Sequence, residues 1–342
     1  MTFRRAGEGL YAARAGVLLP YGLVDLHAAA PLVFEEWDER PLDMLRLLDG
    51  SEEGLGLDGA NEITNAVLEQ IGDAVDVVRD EDDPDLVDLS GEVSIGGMSL
   101  LLPRSEIKLL APLPRPRSLR LFDTFEDHVT TVRREQGERI PAVWYRAPMF
   151  TFGNHGAIIG PGDSLVMPST EQLDFGLEVA CVIARQGQDI APDEAWDYIA
   201  GFTILNNWVA RDLERDELAS GMGAAKSKDF ATSIGPAIVT PDELEEFFGD
   251  DQRLRLRMIA RVNGNEYSEG DLGDMYYSWE QLIAYASRGV TLYPGDVLSS
   301  GTAAGGSILE QGQEKVGGWI EPDDTVEFEV TGLGKLRNRV SY

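Results

Sequence analysis

Residues 173–183 read LDFGLEVACVI. Apolar and small residues alternate as in a half-buried or buried strand, which places this stretch in a β-rich fold. Gly176 interrupts the pattern two positions before Glu178, the lone acid of residues 175–183. Glycine weakens a strand interior and marks a bulge, a bend or the close approach of another group. Strand alternation puts Asp174, Gly176 and Glu178 on one face, so the gap at Gly176 opens beside a carboxylate.

The pattern continues outward from there. After about residue 110 the strands are 177–184, 202–210, 237–241, 254–265, 296–302 and 324–334, with an Asn263-Gly264 hairpin signal inside RVNGNEYS. Helices are expected at 123–136 and at 278–289, the latter capped by Ser278 and ended at Gly289. Another begins at 191 and passes into a strand through Gly201. Before residue 110, short apolar segments at 16–19, 23–30, 74–78 and 93–102 read as strands. Helices are expected at 41–50 and 61–72. Pro112, Pro114 and Pro116 favour an extended connector between the two regions. The expected organisation is therefore a small N-terminal β domain over 1–110 and a larger β-rich α+β domain over 111–342.

Composition removes several function classes. Among 342 residues, 60 acids outnumber 29 bases, for a net charge of −31. Such a surface repels nucleic acid and anionic membrane, because phosphate recognition needs a basic footprint. No apolar run is long enough for a membrane-spanning helix. A single cysteine, Cys181, inside an apolar strand pattern points to a small buried hydrophobe and a cytoplasmic, reducing compartment. The chain has no dinucleotide or Walker loop, no CxxC and no HExxH, and only three histidines, His27, His128 and His155.

Three features remain for chemistry. His128 sits on the expected helix DTFEDHV. Lys226 and Lys228, two of five lysines, lie in the turn-rich stretch KSKDFATSIGP. SSGTAAGGSILE is a Gly/Ser/Thr loop whose backbone N–H groups suit an anion.

Six collinear stretches bind these features together: 112–129 (PLPRPRSLRLFDTFEDHV), 144–163 (WYRAPMFTFGNHGAIIGPGD), 197–214 (DYIAGFTILNNWVARDLE), 226–244 (KSKDFATSIGPAIVTPDEL), 270–302 (GDLGDMYYSWEQLIAYASRGVTLYPGDVLSSGT) and 332–340 (GLGKLRNRV). In them the chain resembles the fumarylacetoacetate hydrolase family. The resemblance implies a mixed β-sandwich or β-roll catalytic domain behind a small N-terminal SH3-like β domain, and a homodimer. It also implies a keto or enol carboxylic acid as substrate, handled by C–C cleavage, decarboxylation, dehydration, tautomerisation or cyclisation.

Residue by residue, the resemblance assigns His128 as catalytic base, Glu310 as its partner acid and Lys228 as the charge-stabilising lysine. Thr302 and Arg211, the latter in the Ala210-Arg211-Asp212 motif, fall on substrate-binding positions. Family members hold Mg²⁺ or Ca²⁺ with four carboxylates. Here those positions are Leu121, Gly176, Glu178 and Asn207, which supply one negative charge in place of four. Mg²⁺ demands near-octahedral oxygen ligation, so no metal is expected; Glu178 is the only retained ligand, and Leu121, Gly176 and Asn207 become part of the substrate pocket. Asp123 and Asp174 are the nearest substitutes in sequence.

Three readings follow: a family enzyme working by His–Glu acid/base chemistry without the metal, a non-catalytic relative that binds a small acid or a protein partner, and a metal-dependent acylpyruvate-type hydrolase with substitute ligands. In the second, Glu178 and Lys228 would pair with each other. Arg133, Arg134 and Arg146 are further candidates for a substrate carboxylate, because guanidinium offers bidentate geometry.

Overall fold

The computed structural model describes all residues except 38–39, 51–53, 73–74, 80–86, 136 and 222. Part of the expected strand 74–78 lies outside the described residues, as do all the acids in 79–85. The chain divides into two compact units, Met1–Leu113 and Pro114–Tyr342.

In the first unit, six antiparallel strands follow the order Val93–Ile95, Met98–Leu102, Gly22–Asp25, Arg14–Leu19, Thr2–Arg5 and Ile107–Leu110. The helix Gly56–Ile71 buries Ala60, Ile63, Val67 and Ile71 at helical spacing. The expected strand 23–30 is corrected here. It ends at Asp25, whose carboxylate accepts the Ala28 N–H and starts the helix Leu26–Ala29. An N-cap aspartate outweighs the apolar run that suggested extended chain.

The second unit carries the site. Its larger sheet orders Phe150–Phe152, Leu119–Phe122, Val297–Ser299, Leu177–Ile183, Ile199–Asn207, Thr232–Val239 and Ile158–Ile159. A five-stranded sheet holds Ser164–Val166, Gly334–Ser341, Thr325–Val330, Arg257–Val262 and Asn265–Asp271. Side chains from both sheets share one core that includes Phe175, Phe202, Trp208, Met258 and Phe328. The hairpin turn forms at Asn263 and Gly264, both at positive φ, as a two-residue Asn-Gly loop requires.

Leu177–Ile183 is buried along its whole length, so the alternation reflects two covered faces, not one wet one. Cys181 is fully buried there, and burial pushes its thiol well above the ordinary range. The helix Trp279–Ala286 starts on a Ser278–Gln281 capping box. It stops at Ala286, before Gly289. The segment expected to begin as a helix at 191 is a 3₁₀ helix, Pro192–Tyr198.

The single strand expected over 173–183 is two. Leu173–Asp174 pairs with Val209–Ala210, whereas Leu177–Ile183 pairs with Ile199–Asn207 and Val297–Ser299. The break falls at Phe175–Gly176. Alternation does not survive it, and Asp174 leaves the face shared by Gly176 and Glu178.

Candidate active site

A cavity of about 430 Å³ opens among the strand end Leu119–Phe122, the helix Glu126–Glu135 and the helix Arg211–Ser220. Leu121, Asp123, His128, Glu178, Asn207, Arg211, Lys228 and Thr302 all line it. Residues drawn from five separated stretches of sequence therefore meet in one place.

The acid/base half is formed by two helices. His128 lies in the first turn of the helix Glu126–Glu135 and is 9% exposed. Its Nδ1 is 2.7 Å from Glu310 Oε2. Glu310 is held in turn: Oε1 accepts the Gly305 N–H at 2.9 Å, and Oε2 accepts the Ser307 hydroxyl at 3.0 Å. Burial disfavours the imidazolium, but the hydrogen bond and charge of Glu310, with Asp123 behind them, outweigh burial and raise the His128 pKa above 6.5. Nε2 is then the ring nitrogen available to a ligand.

Lys228 does not pair with Glu178. Its Nζ lies 3.3 Å from Glu214 Oε1, while Arg211 Nη1 donates to Glu214 Oε2 at 2.7 Å. Burial alone would raise the Glu214 carboxyl; the charges of Arg211 and Lys228 instead bring it to about 2. Arg211 Nε donates to Asp174 Oδ2 at 2.8 Å, and Asp174 also accepts the N–H groups of Ile308 and Leu309. One polar chain thus runs from Lys228 through Glu214, Arg211 and Asp174 to the short helix that carries Glu310. Arg211, a sequence candidate for substrate contact, lines the cavity with Nε and Nη1 already engaged inside that chain. Asp174 is fully buried within it, which removes it as a substitute metal ligand.

The other half surrounds Glu178. Its Oε1 accepts Asn207 Nδ2 at 3.1 Å and the Thr302 hydroxyl at 3.2 Å. Burial raises its carboxyl pKa, with Ser299, Asn207, Lys228 and Thr302 pulling the other way. A Cβ on Gly176 would come 2.7 Å from Thr302 Oγ1 and 3.2 Å from Glu178 Oε1, so the space of a longer side chain is already filled. Leu121 presents an apolar side chain, 6% exposed.

These residues do not fit the family's divalent cation. Glu178 Oε2 and Asn207 Oδ1 lack well-aligned hydrogen bonds, but two oxygens bearing one charge fall short of an octahedral set. Among the described residues no group of three His, Cys, Asp or Glu has metal-holding geometry. Asp123 does face the cavity. It is accessible to solvent there although protein surrounds it; that crowding raises its carboxyl pKa against the pull of His128, Lys228 and Arg133.

Of the other arginine candidates, Arg133 lines the cavity and donates to Glu138 at 2.8 Å, whereas Arg134 and Arg146 are exposed and off its lining. Sequence reasoning missed Glu214 and the apolar wall at Val143, Trp144, Met149 and Phe150. The i,i+3 spacing of Arg211 and Glu214 was the available signal for the first. Nothing local marked the second.

Residues 119–341 match the family model of the fumarylacetoacetate (FAA) hydrolase C-terminal domain. The chain belongs to the fumarylacetoacetate hydrolase family. It is 32% identical over 244 residues to a mitochondrial oxaloacetate tautomerase of Rattus norvegicus, covering 70% of this chain and 71% of that one. It is 30% identical over 246 residues to an oxaloacetate tautomerase of Bacillus subtilis, covering 71% and 76%. A 5-carboxymethyl-2-hydroxymuconate delta-isomerase from Mycobacterium smegmatis matches at 26% identity and a TM-score of 0.56, over 78% of this chain and 94% of that one. The fold extends over the whole length: a fumarylacetoacetate hydrolase from Exiguobacterium antarcticum aligns with 99% of this chain and 98% of its own at TM-score 0.66 and 22% identity. The chain is an enzyme of the fumarylacetoacetate hydrolase superfamily, with a mixed, β-rich fold. No helix among the described residues is long and apolar enough to cross a membrane.

Proposed function

We propose that this family member moves a proton at the carbon next to a carbonyl in a small keto or enol carboxylic acid, using His128 and Glu310 and no divalent metal. Tautomerisation or isomerisation is the reaction class. The observation that carries the reading is the 2.7 Å contact between His128 Nδ1 and Glu310 Oε2, made in the same cavity as Lys228.

The chemistry follows from the geometry. Neutral His128 takes the C–H proton through Nε2, and the bond's electron pair moves onto the carbonyl oxygen as an enolate. Glu310 stabilises the imidazolium and fixes the ring. Lys228 supplies positive charge toward the enolate or the carboxylate. Proton return from the imidazolium to the oxygen completes the enol and restores the base. Hydrolysis of a simple acylpyruvate fits less well, because metal polarisation there supplies several kcal/mol, as an order of magnitude. The tautomerase and isomerase names of the relatives agree with this choice.

The test is spectroscopic. Enol and keto forms of a 2-keto acid are followed by ultraviolet absorbance with protein purified without chelator and assayed in excess EDTA. The expected result is accelerated interconversion that His128→Ala abolishes. If neither His128→Ala nor Glu310→Gln slows it, the dyad mechanism fails. About one equivalent of tightly held Mg²⁺ or Ca²⁺ per chain overturns the metal-free part. Binding of keto acids without turnover leaves the non-catalytic binder.

A further inference from the structure

We infer that the cavity selects a keto acid with one carboxylate and an apolar acyl or aryl tail over a compact dicarboxylate such as oxaloacetate. This rests on the proposed keto-acid chemistry and adds the substrate class to it.

Three observations carry it. The first is shape. The cavity's about 430 Å³ corresponds to roughly 14 waters at about 30 Å³ each, well beyond what a four-carbon diacid fills. The second is its lining. Val129, Val132, Val143, Trp144, Met149 and Phe150 line the cavity together with Leu121, so much of the wall is apolar. The wall is fixed in advance. Trp144 Nε1 donates to the Asp123 carbonyl at 2.9 Å, and the Tyr277 hydroxyl donates to the Trp144 carbonyl at 2.6 Å. A preformed apolar wall binds a tail without first paying to order itself.

The third is charge. The basic lining groups are His128, Arg133, Arg211 and Lys228, and every one faces an acid: Glu310, Glu138, Asp174 with Glu214, and Glu214 respectively. Asp123 and Glu178 add two more carboxyl groups. Lys228, which shares Glu214 with Arg211, can turn to one substrate carboxylate. A second carboxylate would face the apolar wall and the surplus of acids. Arg133 is the remaining recourse, and it sits in an exposed pair with Glu138, where solvent screens its pull.

Calorimetry on the full-length protein tests this with two probes, benzoylpyruvate and oxaloacetate. Benzoylpyruvate is expected to bind about tenfold or more tightly, from the apolar area its ring removes from water. A ratio of about threefold or less overturns the inference, and any larger preference supports it. The variant Met149→Lys places a cation on the wall at a side chain already 42% exposed, so folding is not at stake. It should cut the preference by about fivefold; an unchanged ratio overturns the wall's role. Turnover is measured separately. Tight benzoylpyruvate binding without proton exchange leaves the inference standing and sinks the proposed reaction. Oxaloacetate tautomerisation with no apolar preference does the reverse.

Discussion

The two sides of the cavity have been treated differently. On one side His128, Glu310, Lys228 and their supports form a connected polar chain that reaches back to Asp174. On the other, Glu178 is alone among Leu121, Gly176, Asn207 and Thr302, and its carboxyl is raised by burial. The first side is built to hold charge, because each ionised group has an opposite charge or an N–H donor aimed at it. The second is built to need little charge. A cation removed from among four carboxylates would leave them repelling one another in a buried space, whereas one carboxyl held by an amide and a hydroxyl is tolerable. On the proposed metal-free reading, Leu121, Gly176 and Asn207 beside a single carboxyl and the His128–Glu310 contact are two parts of one electrostatic arrangement.

That contrast can be broken experimentally. His128→Ala should lower kcat/KM for keto–enol interconversion by about 10²–10⁴, the usual contribution of a positioned base, measured by absorbance. Alanine at Glu178 that costs as much would erase the distinction between the sides. Next, Asp174→Ala should cost about 3 kcal/mol in denaturant unfolding, since it leaves Arg211 half-paired and two N–H groups of the Glu310 helix without an acceptor. A loss below about 1 kcal/mol would mean that the chain does not hold the dyad in place. Gly176→Ala should cost about 1–3 kcal/mol by pressing its methyl onto Thr302 Oγ1, and an unchanged melting temperature would show that the niche is roomier than its 2.7 Å contact implies.

The smaller effects are in pH. Because the His128 pKa is raised and the base must be neutral, kcat/KM should climb with pH through a midpoint above 6.5. Glu310→Gln should move that midpoint down; a midpoint that stays put would separate the two residues. Glu178 has the opposite consequence for stability. Its folded pKa exceeds the unfolded 4.5, so the folded state binds the proton more tightly and loses stability as pH rises through that window. Glu178→Gln should therefore gain on wild type between acid and neutral pH, and a parallel stability curve would contradict this. Glu214, brought to about 2, works the other way: its contribution is present above 4.5 and lost as pH falls toward 2.

Much of the site was legible in the chain. His128, Glu310, Lys228, Thr302 and the three altered positions were assigned through resemblance, and all of them line or adjoin one cavity. The strand that carries Glu178 followed from alternation alone, and Gly176 falls at the break just before it. Asp174 is where alternation misled: two residues nearer the N-terminus, the strand breaks and changes partners. A periodic pattern describes a continuous ladder and carries no information about where the ladder ends. The Glu178–Lys228 pair offered under the non-catalytic reading failed for a related reason, since Glu214 comes from another helix and has the closer claim on the ammonium.

By itself the sequence determined the family and which residues stand at its motif positions, because each is a matter of residue identity. It also determined the acidity of the surface and the buried character of the strand around Cys181. Only the tertiary structure decided which charges neutralise which, that Asp174 holds the helix that carries Glu310, and that apolar side chains line the same cavity as Glu178. Those depend on distances between segments far apart in the chain, and a few ångströms decide whether a carboxylate is a partner, a ligand or a bystander.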